Sequence, residues 1–220
     1  MSATDDYQTL SGSSEGEFKD RGSKFYGYAA PARSEDECRA VLDQVRQQHP
    51  KARHFCYAYR LGYDGTHFRS NDDGEPSGTA GRPILGQIDR LGLTDCIVIV
   101  VRYFGGTLLG SSGLIQAYRE AARQALERGQ VITRTRTRLY RVGFDYGLMG
   151  SAMDVLKKLE IEIVSQRFEE QAEVTIALPR SAAPAHLDRF KADLLGITLN
   201  ELPQREPIEG LRISEVPDII

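Results

Sequence analysis

Two blocks of this sequence bring together residue types that can do chemistry. The first is Asp72-Asp73-Gly74-Glu75-Pro76-Ser77-Gly78-Thr79-Ala80-Gly81, with Asn71 just before it. Asn71, Asp72, Asp73 and Glu75 crowd one short segment, as a hard-cation site or a general acid–base pair requires. The second is Arg102-Tyr103-Phe104-Gly105-Gly106-Thr107-Leu108-Leu109-Gly110-Ser111-Ser112-Gly113. Its arginine is a planar, permanent charge. Its glycine-rich turn leads into a helix, whose first N–H groups and positive dipole end attract anions. A phosphate, nucleic-acid or carboxylate contact follows from that pairing. Each block also has a plainer use. The acids can cap the next helix and pair with Arg102 or Arg82, and the glycines can simply let the backbone turn.

Neither block completes a known catalytic motif. Gly105 and Gly110 have P-loop spacing and Ser112 stands where its Ser/Thr belongs, but the lysine position is Ser111. Nothing then reaches a terminal phosphate, which excludes a nucleotide triphosphatase of that class. The acidic spacing is wrong for an EF-hand. His54 and Cys56 share one face of a predicted strand, and zinc needs three or four ligands. No catalytic residue, metal ligand or cofactor is therefore assigned.

The surrounding elements follow from periodicity. Cys96–Val101 is an unbroken, β-branched apolar run, suited to a strand buried on both faces. Leu114, Tyr118, Ala121, Ala122 and Ala125 recur with a helical period, with Ser111 or Ser112 as cap and Gly129 as stop. Upstream, a strand is expected over Lys24–Ala30. A helix follows from the capping box Ser34-x-x-Glu37, with Cys38, Val41, Leu42 and Val45 inward and His49-Pro50 as its end. Arg53–Leu61 alternates like a half-buried strand, and after the Asp64-Gly65 turn His67–Arg69 returns. A helix from near Ser77 or Thr79 to Leu91 tolerates Pro83 only in its first turn.

Beyond Gly129, Arg134, Arg136 and Arg138 alternate with threonines and share one face of a strand. That ladder can bind phosphates or an acidic partner, or form a solvated junction. Strands over Leu139–Tyr146, Ile161–Phe168, Ala172–Leu178 and Ile197–Leu202, with helices over Leu148–Leu159 and Pro184–Leu195, spell βαββαβ. This is the ferredoxin-like arrangement. Met1–Glu17 is expected to be a disordered tail without signal-peptide character, and Gln204–Ile220 an extended tail.

Composition is that of an ordinary globular chain: 220 residues, 40% hydrophobic and 27% charged. The net charge of −3 argues against a dedicated nucleic-acid binder but allows a local basic patch. No apolar run approaches the ~20 residues a membrane span needs. Cys38, Cys56 and Cys96 are expected as free thiols in a reducing cytoplasm. A coiled coil is not indicated, and a monomer is expected.

The two blocks also carry a resemblance. Leu93-x-Asp95 leading into Ile97–Val101, then Arg102–Gly106 and Leu109-Gly110, with the Asp72–Gly81 block upstream, resembles the IMPACT family and its bacterial YigZ branch. The likeness runs from about Phe18 to Pro203. It implies an α+β architecture: an N-terminal IMPACT-type domain over 18–132, similar to ribosomal protein S5 domain 2, and a ferredoxin-like domain over 138–203. Eukaryotic members damp an amino-acid-starvation response at translation initiation and carry an added RWD domain, for which no counterpart is expected here. The expected function is therefore a cytoplasmic, translation-linked binding protein that regulates rather than catalyses. It would contact RNA, a ribosomal component or a protein through the Arg102–Gly113 loop, the acidic loop and the arginine ladder. The rival is a metal-dependent hydrolase or phosphoryl-transfer enzyme. Asp72, Asp73 and Glu75 would then hold a metal, and Arg102 a phosphate.

Overall fold

The apolar run becomes the middle strand of a five-stranded sheet. A computed structural model describes residues 5–169, 172–205 and 207–217. Their contacts divide into two compact units, Asp6–Arg134 and, with Asp5, the chain from Thr135 onward. The first unit contains β1 (Asp6–Leu10), β2 (Ser14–Asp20), β3 (Ser23–Pro31), α1 (Glu35–Gln48), β4 (His54–Leu61), β5 (His67–Asn71), α2 (Gly81–Arg90), β6 (Cys96–Tyr103) and α3 (Gly110–Arg128), and ends in β7 (Val131–Thr135). The sheet order is β2-β3-β6-β4-β5, every neighbouring pair antiparallel. β1 pairs with β7 in a separate two-stranded sheet.

β6 serves two cores at once. Val98 and Val100 join Phe25, Cys56, Ala58 and the apolar faces of α2 and α3. Ile97, Ile99 and Val101 join Phe55, Tyr59 and the α1 stripe of Cys38, Leu42 and Val45. β4 was expected to be half-buried, but it too is covered on both sides, because helices lie on both faces of the sheet. α1 begins as its sequence indicates: Ser34 Oγ accepts from Glu37 N at 3.1 Å, and the Glu37 carboxylate accepts from Arg33 N at 2.7 Å.

At Gly16 and Gly27 the backbone of α3 lies directly against β2 and β3. A Cβ on Gly27 would fall 2.4 Å from the Ala121 carbonyl oxygen, and one on Gly16 would fall 2.5 Å from Ala125 N. This explains a departure from expectation. Part of Met1–Glu17, read as a disordered tail, forms β1 and most of β2. Its glycine permits helix contact, and its acids occupy the strand's outer positions. A tight turn through Arg21 (φ 44°) and Gly22 (φ 80°) then zips β2 onto β3. The tail expectation for residues 1–4, 206 and 218–220 lies outside the described residues.

The second unit contains β8 (Thr137–Phe144), α4 (Tyr146–Lys158), β9 (Glu162–Phe168), β10 (Ala172–Pro179), α5 (Ala183–Leu195) and β11 (Leu211–Glu215). Its sheet order is β11-β8-β10-β9, antiparallel throughout. Val142, Phe144, Leu156, Val174, Ile176 and Phe190 form its core. The last strand is not at Ile197–Leu202. Gly196 ends α5 in the left-handed region, and Glu201 accepts from Thr198 N and Oγ1 at 2.9 and 2.7 Å, which closes a turn. A 3₁₀ turn at Leu202–Gln204 follows, and the expected tail supplies β11 through Leu211 and Ile213. No helix among the described residues is long and apolar enough to cross a membrane.

The close seat of α3 generates a prediction. Gly27→Val should destabilise the first unit by about 3 kcal/mol, since backbone rather than a movable side chain stands in the way. Thermal unfolding should fall by roughly 6–12 °C. An unchanged transition would contradict this packing.

Candidate functional site

The two blocks meet around one buried arginine in the first unit. Arg102 lies near the end of β6, opposite Phe25 on β3 and His54 on β4. Its guanidinium sits between two rings, 5.5 Å from the centroids of both Phe25 and Phe104. Nη1 donates to Glu75 Oε1 at 2.7 Å, and the Tyr118 hydroxyl of α3 donates to the same oxygen at 2.7 Å. The Arg102 and Glu75 side chains are only 7% and 4% exposed. Burial first, then Cys56 and Glu75, pushes the Tyr118 phenol far above its ordinary range, so it stays a donor.

The remaining acids are occupied by backbone. Asp72 Oδ1 accepts from Ala80 N at 2.9 Å and Gly81 N at 2.8 Å, and Oδ2 accepts from Gly78 N at 2.8 Å. This carboxylate caps α2 from eight residues upstream, the plainer use the sequence allowed for the acidic block, and the helix begins at Gly81 rather than near Ser77 or Thr79. Burial alone would raise its pKa. The three N–H groups outweigh that and hold it below the usual carboxylate value. Asp73, at φ 41°, accepts from Phe55 N at 2.7 Å, and Asn71 Oδ1 accepts from Asp73 N at 2.7 Å. The loop carbonyls are engaged as well. Asp73 O lies 2.9 Å from His54 Nδ1, and Asp72 O accepts from Cys56 Sγ at 3.0 Å. Among the described residues no group of three or more His, Cys, Asp or Glu could hold a metal ion.

The glycine-rich loop has a fixed base and an open tip. Gly105 N donates to the buried Ser23 hydroxyl at 3.1 Å, and a Cβ on Gly105 would lie 1.9 Å from the Gly22 carbonyl carbon. Tyr103 is half-buried. Phe104 is 58% and Leu108 82% exposed, with Gly105, Gly106 and Thr107 exposed between them. α3 then starts earlier than expected. Gly110 (φ 68°) turns the chain directly into the helix, so Leu109 is the cap position and no side chain caps it. Ser111, Ser112 and Gly113 belong to the first turn, with both serines exposed.

The arginine ladder is divided between the units. Arg134 ends the first, whereas Arg136 and Arg138 belong to the second, and a break in strand structure falls at Arg136. All three are half-buried with exposed threonines between them, and Arg138 pairs with Glu215 at 3.0 Å. Sequence reasoning missed Tyr118, Phe25 and Ser23 as members of the site. Tyr118 had a signal: a polar-tipped side chain in an alanine stripe needs a partner when buried. All three cysteines are buried and free, and burial pushes Cys38 and Cys96 up to about 12 and raises Cys56 as well.

Fold and site together define a class: a two-unit mixed α/β protein whose first unit closes an acidic loop and a glycine-rich loop around one buried arginine. Residues 21–126 match the Impact N-terminal domain. The chain is 34% identical over 185 residues to the IMPACT family member YigZ of Escherichia coli (strain K12), covering 80% of this chain and 90% of that one. It belongs to the IMPACT family. Protein IMPACT homolog of Saccharomyces cerevisiae is 38% identical over 96 residues, 41% of this chain and 36% of its own length. Among solved structures, a crystal structure of a hypothetical protein matches with a TM-score of 0.66 and 26% identity, over 97% of this chain and 98% of that one.

Two predictions follow from this geometry. Glu75→Ala strands a buried guanidinium and should lower stability by ~3–5 kcal/mol, and the double variant Arg102→Met/Glu75→Leu should recover much of it. Urea unfolding checks both, and a loss under ~1 kcal/mol for the single variant would contradict the buried pair. The second concerns acid. The Asp72 pKa is lower folded than unfolded, so its contribution is present above the ordinary value near ~4 and disappears as pH falls through the folded value. The stability gap between wild type and Asp72→Asn should therefore be widest near neutral pH and close under acid. A pH-independent gap in urea midpoints would count against the cap.

Proposed function

We propose that this protein is a translation-linked regulatory protein that acts by binding, and that the Phe104–Gly113 loop is a contact surface. One observation carries the reading: a base held by the buried Arg102–Glu75 pair and by Gly105 against Ser23 presents an exposed tip. Large apolar side chains held open on a fixed loop suit docking, since little order is lost when a partner arrives. The exposed first turn of α3 beside them suits an anionic group on that partner. The translation link comes from the family, whose eukaryotic members act at initiation. RNA, a ribosomal component and a translation-related protein are the partners considered, in the cytoplasm.

The metal-dependent hydrolase is the weaker reading. It needs Asp72, Asp73 and Glu75 facing a cation, and their oxygens instead accept from backbone N–H groups, Arg102 and Tyr118. The same reading makes the second unit ferredoxin-like and the first similar to ribosomal protein S5 domain 2. The order β11-β8-β10-β9 supports a ferredoxin-like second unit. The likeness of the first unit to ribosomal protein S5 domain 2 rests on the family resemblance.

Co-sedimentation with ribosomes across a salt titration tests the reading. Wild type should pellet with ribosomes. Phe104→Ala/Leu108→Ala should weaken this by ~10-fold or more at unchanged thermal stability, as loss of a central apolar anchor does. Equal pelleting of both proteins would remove the loop from the contact, and no pelleting even at low salt would remove the ribosome. Arg102→Ala is unsuitable here, because it breaks the fold's own ion pair.

A further inference from the structure

In the second unit, α4 and α5 cover one face of the sheet, and the opposite face carries arginines from three strands. Arg212 lies on β11, Arg141 on β8 and Arg167 on β9. The registers set them in rows. Arg212, Gly143, Glu173 and Arg167 lie side by side across the four strands. Ser214, Arg141, Thr175 and Ser165 form the adjacent row of the same face. The intervening Val142 and Val174 point into the helix-side core.

All three arginines are exposed. Gly143 leaves the middle of the face without a side chain, and a Cβ there would meet nothing closer than Arg212 Cβ at 3.9 Å. The result is a shallow cavity of about 430 Å³ around these residues. Its charge is only partly cancelled, three arginines standing against two glutamates in the lining. Arg141 Nε lies 3.4 Å from Glu173 and Arg167 Nε 4.0 Å from Glu169, while Arg212 has no ion pair among the described residues.

We propose that this open sheet face binds the phosphate backbone of single-stranded RNA, an inference that rests on RNA being among the partners of the translation-linked reading. Guanidinium forks match phosphate oxygens. Strands ~4.8 Å apart place Arg212 and Arg167 roughly 14 Å apart, enough to follow a chain across the sheet. A protein partner is the poorer fit, because no large apolar side chain lines the cavity to serve as an anchor. No aromatic ring lines it either, so binding should be indifferent to base identity.

Fluorescence anisotropy with short labelled poly-U and poly-A oligonucleotides, using the full chain, tests this. Both should bind alike. The triple variant Arg141→Ala/Arg167→Ala/Arg212→Ala should bind at least ~10-fold more weakly and flatten the slope of log affinity against log salt by about two. Glu173→Gln should tighten binding. Circular dichroism checks that the triple variant folds; if it does not, Arg212→Ala alone must still weaken binding. Wild-type affinity in a folded variant would overturn the site and leave the broader reading standing. No oligonucleotide binding by wild type at low salt would overturn the inference, and ribosome co-sedimentation would then decide the broader reading separately. Capture of poly-glutamate in place of RNA would also overturn it, in favour of an acidic protein.

Discussion

The buried pair of Arg102 and Glu75 is the constraint to which the first unit answers. A guanidinium within a hydrocarbon core is tolerable only with a carboxylate against it and its faces covered. The carboxylate has to arrive from a loop 27 positions upstream in the chain. That loop can deliver it only if its own backbone is satisfied, which Asp72 and Asn71 do, and only if it bends through left-handed residues at Asp73 and Gly74. The faces are covered by Phe25 and Phe104. Phe104 in turn stays in place because Gly105 is pressed onto Gly22 and Ser23. One interaction thus explains why two loops so far apart both have demanding sequences.

This arrangement separates support from contact. Residue types that suggest chemistry (the acids and the arginine) lie inside and build the loops. Residues that meet solvent are the phenylalanine, leucine and small residues at the loop tip. A buried ion pair need not add net stability compared with apolar substitutes. Its use here is geometric, since it admits one loop conformation and rejects those that leave a charge unpaired.

Much of the fold was legible in the sequence, for local reasons. β6 was recognisable because a strand covered on both faces needs an unbroken apolar run, and α1 because Ser34 and Glu37 mark its start. The βαββα run that opens the second unit followed from alternating periodicities, whereas its last strand was expected at Ile197–Leu202 and lies at Leu211–Glu215. What escaped detection depended on tertiary context. The Gly16 segment looked like a disordered tail, because a glycine that admits a helix backbone cannot be told from one that loosens a chain. β11 was hidden by its short length and by Pro207 and Pro217 on either side of it, and the start of α3 by a glycine that begins the helix without a side-chain cap. For the central site, sequence reasoning placed both the ion-pair use and the ligand use of Arg102 in view. It could not choose between them, because the choice rests on a contact between distant segments. Tyr118 was seen only as an apolar stripe member, since its hydroxyl partner lies on another loop.

The cysteines carry a practical consequence. All three thiols sit in the sheet and helix interior, and burial keeps them protonated at neutral pH. An alkylating reagent therefore finds neither access nor thiolate while the chain is folded. Native labelling chemistry is silent by construction, without removal of a single natural cysteine. A cysteine introduced at the loop tip, as in Thr107→Cys, would be the one reactive handle on the folded chain. A dye placed there would report on whatever approaches the loop, and reactivity of the other three thiols would serve as a built-in clock for unfolding.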